Sequence, residues 1–349
     1  MSKPLQIISV RDIAKTASTC SSISAISTSF VDCSSLTHSV VTTVEKISIR
    51  QGERFSRANK SIAKNNTSFA VPKVFVKDLN IDYSSVLGSG TFGTVCKGNW
   101  AGSEVEIKAI SINKRSHKAM LCMVDKEIEI SSKLRHPNII QFIAIARGET
   151  TIYLVHEYIN ECNMEDAIFC AEKMLEMGIT QQDKLFIMRQ VVQSLPYMHA
   201  LVPIVLHTDI KPGNVMIKKG CLSTKLCDMG ISRIKSAGAA TTTAIGTTCG
   251  SRGHIAPECL LWQPKSFTAT AIWSLGVTLI EFFSEKDAWN VDNELDAISI
   301  IMDKMRKKLS PLQDEDESNI NKEMLVLLKG CVNYDNNVRS SAAKILRNL

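Results

Sequence analysis

Three polar side chains that could carry chemistry lie close together in the stretch VLHTDIKPGNVMI (205–217). Asp209 follows an apolar run, where a carboxylate can accept a proton from an attacking hydroxyl. Lys211 can neutralise a phosphoryl group in transfer, and Asn214 can offer its carbonyl oxygen to a hard cation. A second apolar run follows at once. The pattern predicts a catalytic loop that two apolar strands hold in place.

A second carboxylate follows another short apolar strand. Asp228 lies in KLCDMG (225–230), directly after that strand. Carboxylate oxygens are preferred ligands of hard cations. We therefore predict that Asp228 is the main Mg²⁺ ligand and that Asn214 assists it.

A glycine-rich segment, VLGSGTFGTV (86–95), has the spacing G-x-G-x-x-G, with glycines at 88, 90 and 93. Glycines allow a backbone to close over a phosphate chain and to direct N–H groups at the anionic oxygens. The same spacing opens dinucleotide-binding folds, where the third glycine begins a helix. Here the strand-like TVCKGNW follows, so the segment is predicted to be the turn of a β-hairpin.

A lysine and a glutamate complete the set of possible phosphate-binding groups. Lys108 lies in VEIK, on the next strand but one, and Glu127 lies on the helical segment that follows. A lysine on a strand is usually exposed, but one beneath a glycine flap can pair with phosphates. It then needs an acidic partner to hold it extended, and Glu127 is the candidate.

The elements that must position these residues change character along the chain. Short β-branched segments with glycines predict hairpin strands from about residue 73, interrupted by a helix over 124–136 that ends before Pro137. Longer helical patterns dominate after about residue 160. Strands followed by helices predict an α+β fold of two packed lobes. The apolar segment 269–283 is shorter than the roughly 20 residues of a membrane span, so a buried core helix is expected and no membrane span.

Composition narrows the possible partners and location. The chain has 349 residues and a net charge of +6, without the lysine and arginine runs of a nucleic-acid-binding surface. Its 11 cysteines form no CxxC pair, which favours reduced thiols in the cytoplasm or the nucleus. Residues 1–72 are rich in Ser and Thr and poor in acidic residues, which predicts a disordered tail rather than a transit peptide.

Several of these motifs occur together in one order. From about residue 81 the chain resembles a eukaryotic protein kinase in GSGTFG, VEIK, Glu127 before LRHPNI, HTDIKPGN, DMG, APE and WSLG. The resemblance implies a kinase domain over 73–349, with a small lobe at about 81–157 and a large lobe at about 158–349. It also implies ATP and Mg²⁺ as cofactors and protein hydroxyls as acceptors.

The resemblance assigns a role to each matching position. Asp209 would be the catalytic base, assisted by Lys211, and Asn214 and Asp228 would hold Mg²⁺. Lys108, paired with Glu127, would contact the α and β phosphates. His156 would stand at the gatekeeper position, and Glu258 would form an ion pair with Arg339. The remaining ATP contacts would come from Leu87, Gly88, Ser89, Gly90, Thr91, Phe92, Gly93, Thr94, Val95, and from the backbone of Glu157 and Ile159.

Substrate class follows from two further features of the resemblance. DIKPGN places Lys211 two residues after Asp209, as in serine/threonine kinases. Ser251, before APE, stands where those kinases carry a threonine that contacts the catalytic Asp and Lys. We therefore expect serine and threonine acceptors.

Four positions depart from the family pattern. Glu106 replaces an alanine beside the expected adenine site, and Met229 replaces the phenylalanine of DFG. Thr208 replaces the arginine of HRD, so we hypothesise that activity does not require phosphorylation of the threonines at 241–243, 247 and 248. Ala271 replaces an aspartate that anchors the catalytic loop.

These departures leave alternatives to an active kinase. A pseudokinase scaffold would keep the fold and nucleotide binding without transfer. A small-molecule phosphotransferase could share the H-x-D-x-x-x-x-N loop, although APE and the Glu258–Arg339 match argue against it. The five residues that the chemistry requires are all present, which favours activity: Lys108, Glu127, Asp209, Asn214 and Asp228.

Overall fold

The computed structural model describes residues 71–349, apart from 91–92, 113–117, 161, 230–232, 236–251, 263–267, 292–295 and 314–319. The predicted tail up to residue 70 lies outside this range. So do Thr91, Phe92, Ser251 and the threonines at 241–248, and their predicted roles stay predictions.

The small lobe is an antiparallel sheet in the order β1-β2-β3-β5-β4. Its elements are β1 (Leu79–Gly90), β2 (Gly93–Trp100), β3 (Ser103–Ser111), α1 (Lys118–Ser131), β4 (Phe142–Arg147) and β5 (Thr151–Glu157). β1 and β2 form the predicted hairpin, with Gly90 opposite Gly93. The glycine segment therefore turns between strands and does not begin a helix.

Both faces of this sheet are covered, so β3 buries residues on each side. Val105 and Ile107 contribute to a cluster on one face. Ile110 belongs to a separate cluster that includes Val124 and Ile128 of α1. Since successive side chains on a strand alternate between faces, Lys108 shares the α1 face with Ile110. The strand thereby carries its lysine toward the helix that bears Glu127.

The helix predicted over 124–136 was wrong in its limits. α1 begins earlier, at Lys118, and ends at Ser131. The next residues form turns, in which the Leu134 N–H donates to the Ser131 carbonyl at 3.3 Å. Leu134 is nonetheless buried. The apolar spacing therefore predicted correctly that Leu134 is buried, but it did not show that the helix ends before this residue.

The large lobe is mainly helical, with short strands beside the cleft. Its strands are β6 (Cys162–Asn163), β7 (Ile204–Leu206), β8 (Val215–Lys218), β9 (Ser223–Leu226) and β10 (Arg233–Lys235). Its helices are α2 (Met164–Phe169), α3 (Ala171–Met177), α4 (Gln181–His199), α5 (Thr268–Ser284), α6 (Ala297–Arg306), α7 (Lys322–Cys331) and α8 (Ala342–Arg347).

Two helices form the centre of this lobe. α4 begins with a capping box, in which Thr180 accepts from the Asp183 N–H and the Asp183 carboxylate accepts from the Thr180 N–H. α5 is buried from Thr270 to Phe282, which confirms the expected core helix over 269–283. Within the described part of the chain, no helix is long and apolar enough to cross a membrane. The antiparallel small lobe and helical large lobe confirm the predicted α+β class.

Candidate active site

Lys108 links the two lobes through a buried charge cluster. Its Nζ lies 2.8 Å from Glu127 Oε1 on α1 and 3.1 Å from Asp228 Oδ1 in the large lobe. The Lys108 and Glu127 side chains are 9% and 5% exposed. The predicted lysine–glutamate pair is therefore present, and the predicted metal ligand Asp228 contacts the same amine.

The two carboxylates keep Lys108 protonated. Burial by itself would lower the pKa of Lys108, because it disfavours the charged form. The negative charges of Glu127 and Asp228 outweigh burial and raise that pKa above its ordinary value. The cleft therefore holds a fixed positive charge that an anionic ligand can meet.

Asp228 follows β9 in a conformation that turns its side chain into the cleft. Its φ angle is +58°, in the left-handed region, where aspartate is one of the better tolerated residues. The carboxylate is 42% exposed, far more than that of Glu127. Asp228 is thus positioned to contact both Lys108 and a ligand from solvent.

The predicted catalytic loop forms a second cluster. Asn214 Nδ2 donates to the Asp209 carbonyl at 2.8 Å and to Asp209 Oδ2 at 3.1 Å. Lys211 Nζ lies 3.9 Å from the same carboxylate oxygen. Because the Asn214 amide nitrogen donates to Asp209, its Oδ1 is the atom that can turn toward a cation. The loop thus orients a carboxylate and an amide together.

The two clusters are joined through Cys227 and His207. The Cys227 N–H donates to the Asn214 carbonyl at 2.9 Å, which ties the residue before Asp228 to the catalytic loop. His207 is fully buried, and its Nε2 lies 3.0 Å from the Cys227 carbonyl. Its Nδ1 lies 3.3 Å from the Asp209 N–H. Burial lowers the pKa of His207 and favours the neutral ring.

No role for His207 was predicted from the sequence. The sequence does contain a signal for this residue, because His207 is the first residue of the HTDIKPGN motif. Its two contacts show that it positions the backbone on both sides of the site. This positioning role depends on neighbours distant in sequence, which spacing alone does not reveal.

A cavity of about 290 Å³ lies between the lobes, next to both clusters. Its walls include eight of the predicted site residues, which are Leu87, Gly88, Val95, Lys108, Glu127, Ile159, Asn214 and Asp228. Six other predicted site residues that the structure describes do not line it: Ser89, Gly93, Thr94, Glu157, Asp209 and Lys211. Asp209 and Lys211 instead lie beside the cavity through their contacts with each other and with Asn214.

The third glycine of the loop has a structural role within the sheet. A Cβ on Gly93 would overlap the Ala109 carbonyl oxygen of β3, and its φ angle is +133°. A Cβ on Gly88 would meet nothing within 4 Å. Gly93 is therefore required by its contact with the neighbouring strand, whereas Gly88 lies at the open edge of the cavity.

Glu157 uses its polar groups mainly within the protein. Its N–H donates to the Gln141 carbonyl at 2.9 Å, and its Oε1 accepts from Lys225 Nζ at 2.7 Å. The prediction that the Glu157 backbone meets a base can therefore concern only its carbonyl group. Ile159, two residues further on, does line the cavity.

Two further polar side chains line the cavity near the connection between the lobes. Glu106 on β3 lies directly opposite His156 on β5. The Glu106 Oε1 atom is 3.9 Å from His156 Nδ1, with side chains 23% and 8% exposed. Burial, with Asp228 and Glu157 against the opposing Lys108, raises the pKa of Glu106 to about 7. Burial, assisted by Lys108, lowers the pKa of His156 to about 4.

The residues of the cavity fit a nucleotide with Mg²⁺. Leu87, Val95 and Met216 supply apolar walls, and Lys108 supplies the buried positive charge. In the described residues no group of three or more His, Cys, Asp or Glu side chains could hold a metal ion alone. Asp228 and Asn214 Oδ1 offer two oxygen ligands, which suits Mg²⁺ because it usually completes its shell with phosphates and water.

Comparison with known proteins identifies the family. The sequence model of the protein kinase domain matches residues 81–349. The chain therefore belongs to the protein kinase family.

Among similar proteins, a probable serine/threonine-protein kinase of Dictyostelium discoideum is 30% identical over 260 residues, or 72% of this chain and 27% of the relative. A second one from that organism is 31% identical over 230 residues, or 64% of this chain and 36% of the relative. The serine/threonine-protein kinase CTR1 of Arabidopsis thaliana is 26% identical over 291 residues, or 83% of this chain and 33% of the relative. The matches thus span about a quarter to a third of each relative.

Proposed function

We propose that this chain is an active kinase that transfers the γ-phosphate of Mg²⁺-bound ATP to serine or threonine hydroxyls of proteins. The observation that carries the proposal is the contact of Lys108 with both Glu127 and Asp228, at 2.8 and 3.1 Å. This contact joins a phosphate-binding amine and a metal ligand from different lobes. Kinase activity requires both of these groups in place.

The residues of the chain have distinct roles in this proposal. Lys108 binds and orients the α and β phosphates, and Glu127 holds the amine extended. Asp228 and Asn214 hold Mg²⁺, which neutralises charge on the phosphates when bound. Asp209 accepts the proton of the substrate hydroxyl, and Asn214 fixes its carboxylate for that purpose.

Lys211 completes the proposed transfer site. Its amine lies 3.9 Å from Asp209 Oδ2, so it can contact a phosphoryl group that approaches the same carboxylate. The DIKPGN sequence and the serine/threonine kinases among the similar proteins support serine and threonine acceptors. We further propose a cytoplasmic or nuclear location, because the described cysteines are all free thiols.

A pseudokinase scaffold is the second candidate, and one observation favours it. Glu106 places a carboxylate inside the cavity, where the family has an alanine. A charged carboxylate beside the adenine site would weaken nucleotide binding, because the base would have to displace the water that solvates the charge. The scaffold would bind protein partners without phosphate transfer.

Substitution of Lys108 tests the proposal. We expect Lys108→Met to reduce phosphate incorporation into a generic basic protein at least a hundredfold, because electrostatic stabilisation of the phosphates is lost. Lys133→Met, beyond the end of α1, is the control, since Lys133 pairs with Glu129 and both side chains are about half exposed. Incorporation is measured with labelled ATP and Mg²⁺, and acid hydrolysis identifies the modified residue type.

Folding must be checked in the same experiment. Lys108→Met leaves Glu127 buried without its partner, so Glu127→Gln is combined with it to restore neutrality. The proposal would be supported if Lys133→Met retains transfer to serine or threonine and the folded double variant loses it. Unchanged transfer by the double variant would contradict it, and nucleotide binding by the wild type without any transfer would favour the scaffold.

A further inference from the structure

Glu106 and His156 occupy a defined part of the cavity. On β3, Glu106 lies between Val105, which pairs with Glu157 at the connection between the lobes, and Lys108. A nucleotide that extends from this connection to Lys108 must therefore pass Glu106 and His156. Because Lys108 holds the phosphate end, the base would lie beside this pair.

The pair has hydrogen-bonding capacity that the described part of the protein does not use. His156 Nδ1 is buried, and no hydrogen-bond partner for it exists among the described residues. The Glu106 carboxylate at 3.9 Å is too distant to serve. A buried polar atom without a partner costs about 1–3 kcal/mol, so such an atom calls for an explanation. A ligand that offers N–H groups would satisfy it.

The charge states of the pair favour a donor as its ligand. Burial lowers the pKa of His156 to about 4, so the ring is neutral at physiological pH and Nδ1 can act as an acceptor. Above its pKa of about 7, Glu106 is mostly ionised, and its carboxylate then accepts hydrogen bonds only. An exocyclic amino group carries two N–H donors, whereas a carbonyl oxygen at the same position carries none.

We propose that Glu106 and His156 form a base-selecting pair that accepts hydrogen bonds from an exocyclic amino group, favouring 6-amino over 6-oxo purine nucleotides. This inference rests on the proposed function, since it requires a nucleotide in the cavity. The inference gives Glu106 a role in nucleotide binding. The same residue is otherwise the observation that favours a pseudokinase scaffold. A 6-oxo purine would place its oxygen against a carboxylate, and two acceptors repel each other.

Nucleotide binding by variants of Glu106 tests the inference without any measurement of catalysis. ATP and inosine triphosphate are compared, because they differ at the 6-position of the purine and in the protonation of the adjacent N1. Dissociation constants are measured by calorimetry at pH 8 with Mg²⁺, for the wild type, Glu106→Ala and Glu106→Gln. Glu104→Gln is the matched control, because Glu104 lies on the same strand and is 55% exposed.

We expect the preference for ATP over inosine triphosphate to fall about tenfold in Glu106→Ala, and less in Glu106→Gln, whose amide keeps one acceptor. Glu104→Gln should keep the wild-type ratio of the dissociation constants for the two nucleotides. His156→Phe should also lower the ratio, because it removes the second acceptor and keeps an aromatic ring.

Three results would overturn the inference, and they are distinguishable. An unchanged ratio in Glu106→Ala, with both nucleotides bound more tightly, would show that Glu106 merely obstructs the cavity. An unchanged ratio with unchanged affinities would show that the pair does not contact the base. Failure of the folded wild type to bind any nucleotide would contradict the proposed function itself.

Discussion

The burial of Glu106 makes stability depend on pH. Its pKa is raised to about 7 in the folded protein, against 4.5 for the ordinary carboxyl group. Between these values the folded state binds more protons than the unfolded state, so stability falls as pH rises toward 7. Above pH 7 the full cost of the partly buried carboxylate is present. The titratable groups around Glu106 lie on its own strand, on the neighbouring strands and in the large lobe. They are Lys108, Lys97, His156, Glu157, Cys227 and Asp228.

We predict that Glu106→Gln is more stable than the wild type at pH 8, by about 1–3 kcal/mol, and that the difference becomes small at pH 4.5. The glutamine cannot ionise, so it avoids the cost of a partly buried charge. Urea unfolding at several pH values measures the difference. His156 titrates in both proteins and largely cancels from the comparison. The same difference at both pH values would contradict the raised pKa of Glu106.

One contact within the candidate site was predictable, because a lysine on a strand was expected to pair with a glutamate on the following helix. The contact of Lys108 with Glu127 followed this expectation. The contact of Asn214 with Asp209 was not predicted. The Glu106–His156 pairing was not predictable. The two residues are separated by 49 others, and the sequence does not show the strand register that places them opposite each other. Register depends on the whole sheet, and no short pattern contains it.

At the scale of elements, α5 and α7 pack at unusually close range. A Cβ on Gly276 of α5 would lie 2.7 Å from Cys331 Cβ and 2.8 Å from Val332 Cγ1. Such distances are well inside van der Waals contact, so the helices could not keep their present separation. The close approach of α5 and α7 therefore explains why WSLG has a glycine at this position.

We predict that Gly276→Ala destabilises the protein by about 1–2 kcal/mol. Overpacking a core costs about 1–3 kcal/mol, and the helix propensity of alanine recovers up to about 1 kcal/mol of that. Thermal or urea unfolding measures the change. Gly88→Ala serves as the comparison, since its added methyl would meet nothing within 4 Å. A Gly276→Ala protein as stable as the wild type would contradict the close packing.

Element types were more predictable from sequence than element limits. The hairpin of β1 and β2 and the buried helix α5 matched their patterns, because periodicity reports which residues are buried. The end of α1 at Ser131 differs from the predicted end at residue 136. The buried Leu134 fits the helical spacing of the sequence, but it lies in a turn after the helix. A helix end depends on backbone hydrogen bonds, which that spacing does not determine.

At the scale of the whole molecule, one buried ion pair joins distant parts of the large lobe. Arg339 donates to both carboxylate oxygens of Glu258, at 2.7 and 3.0 Å, as expected from the family resemblance. It also donates to the carbonyls of Ala269 and Asn333. The Arg339 side chain is fully buried, whereas Glu258 is 11% exposed. Segments far apart in sequence thus meet at a single guanidinium group.

We predict that Arg339→Met lowers the free energy of unfolding by about 3–5 kcal/mol, because Glu258 is left buried and unpaired. Lys307→Met is the control. Its ion pair with Asp303 has the same 2.7 Å separation, but both side chains are more than half exposed. An exposed pair contributes at most about 1 kcal/mol. Equal losses in the two variants would contradict the importance of burial.

The central claim is that the cavity between the lobes carries phosphate transfer with Asp209 as the base. A single-turnover experiment tests it most directly. Wild type and Asp209→Asn are each loaded with labelled ATP and Mg²⁺ to the same measured occupancy and then mixed with a protein substrate. We predict that the variant transfers label at least a hundredfold more slowly, as expected for loss of a general base. Equal rates in the two proteins, or a loaded wild type that transfers no label, would contradict the claim.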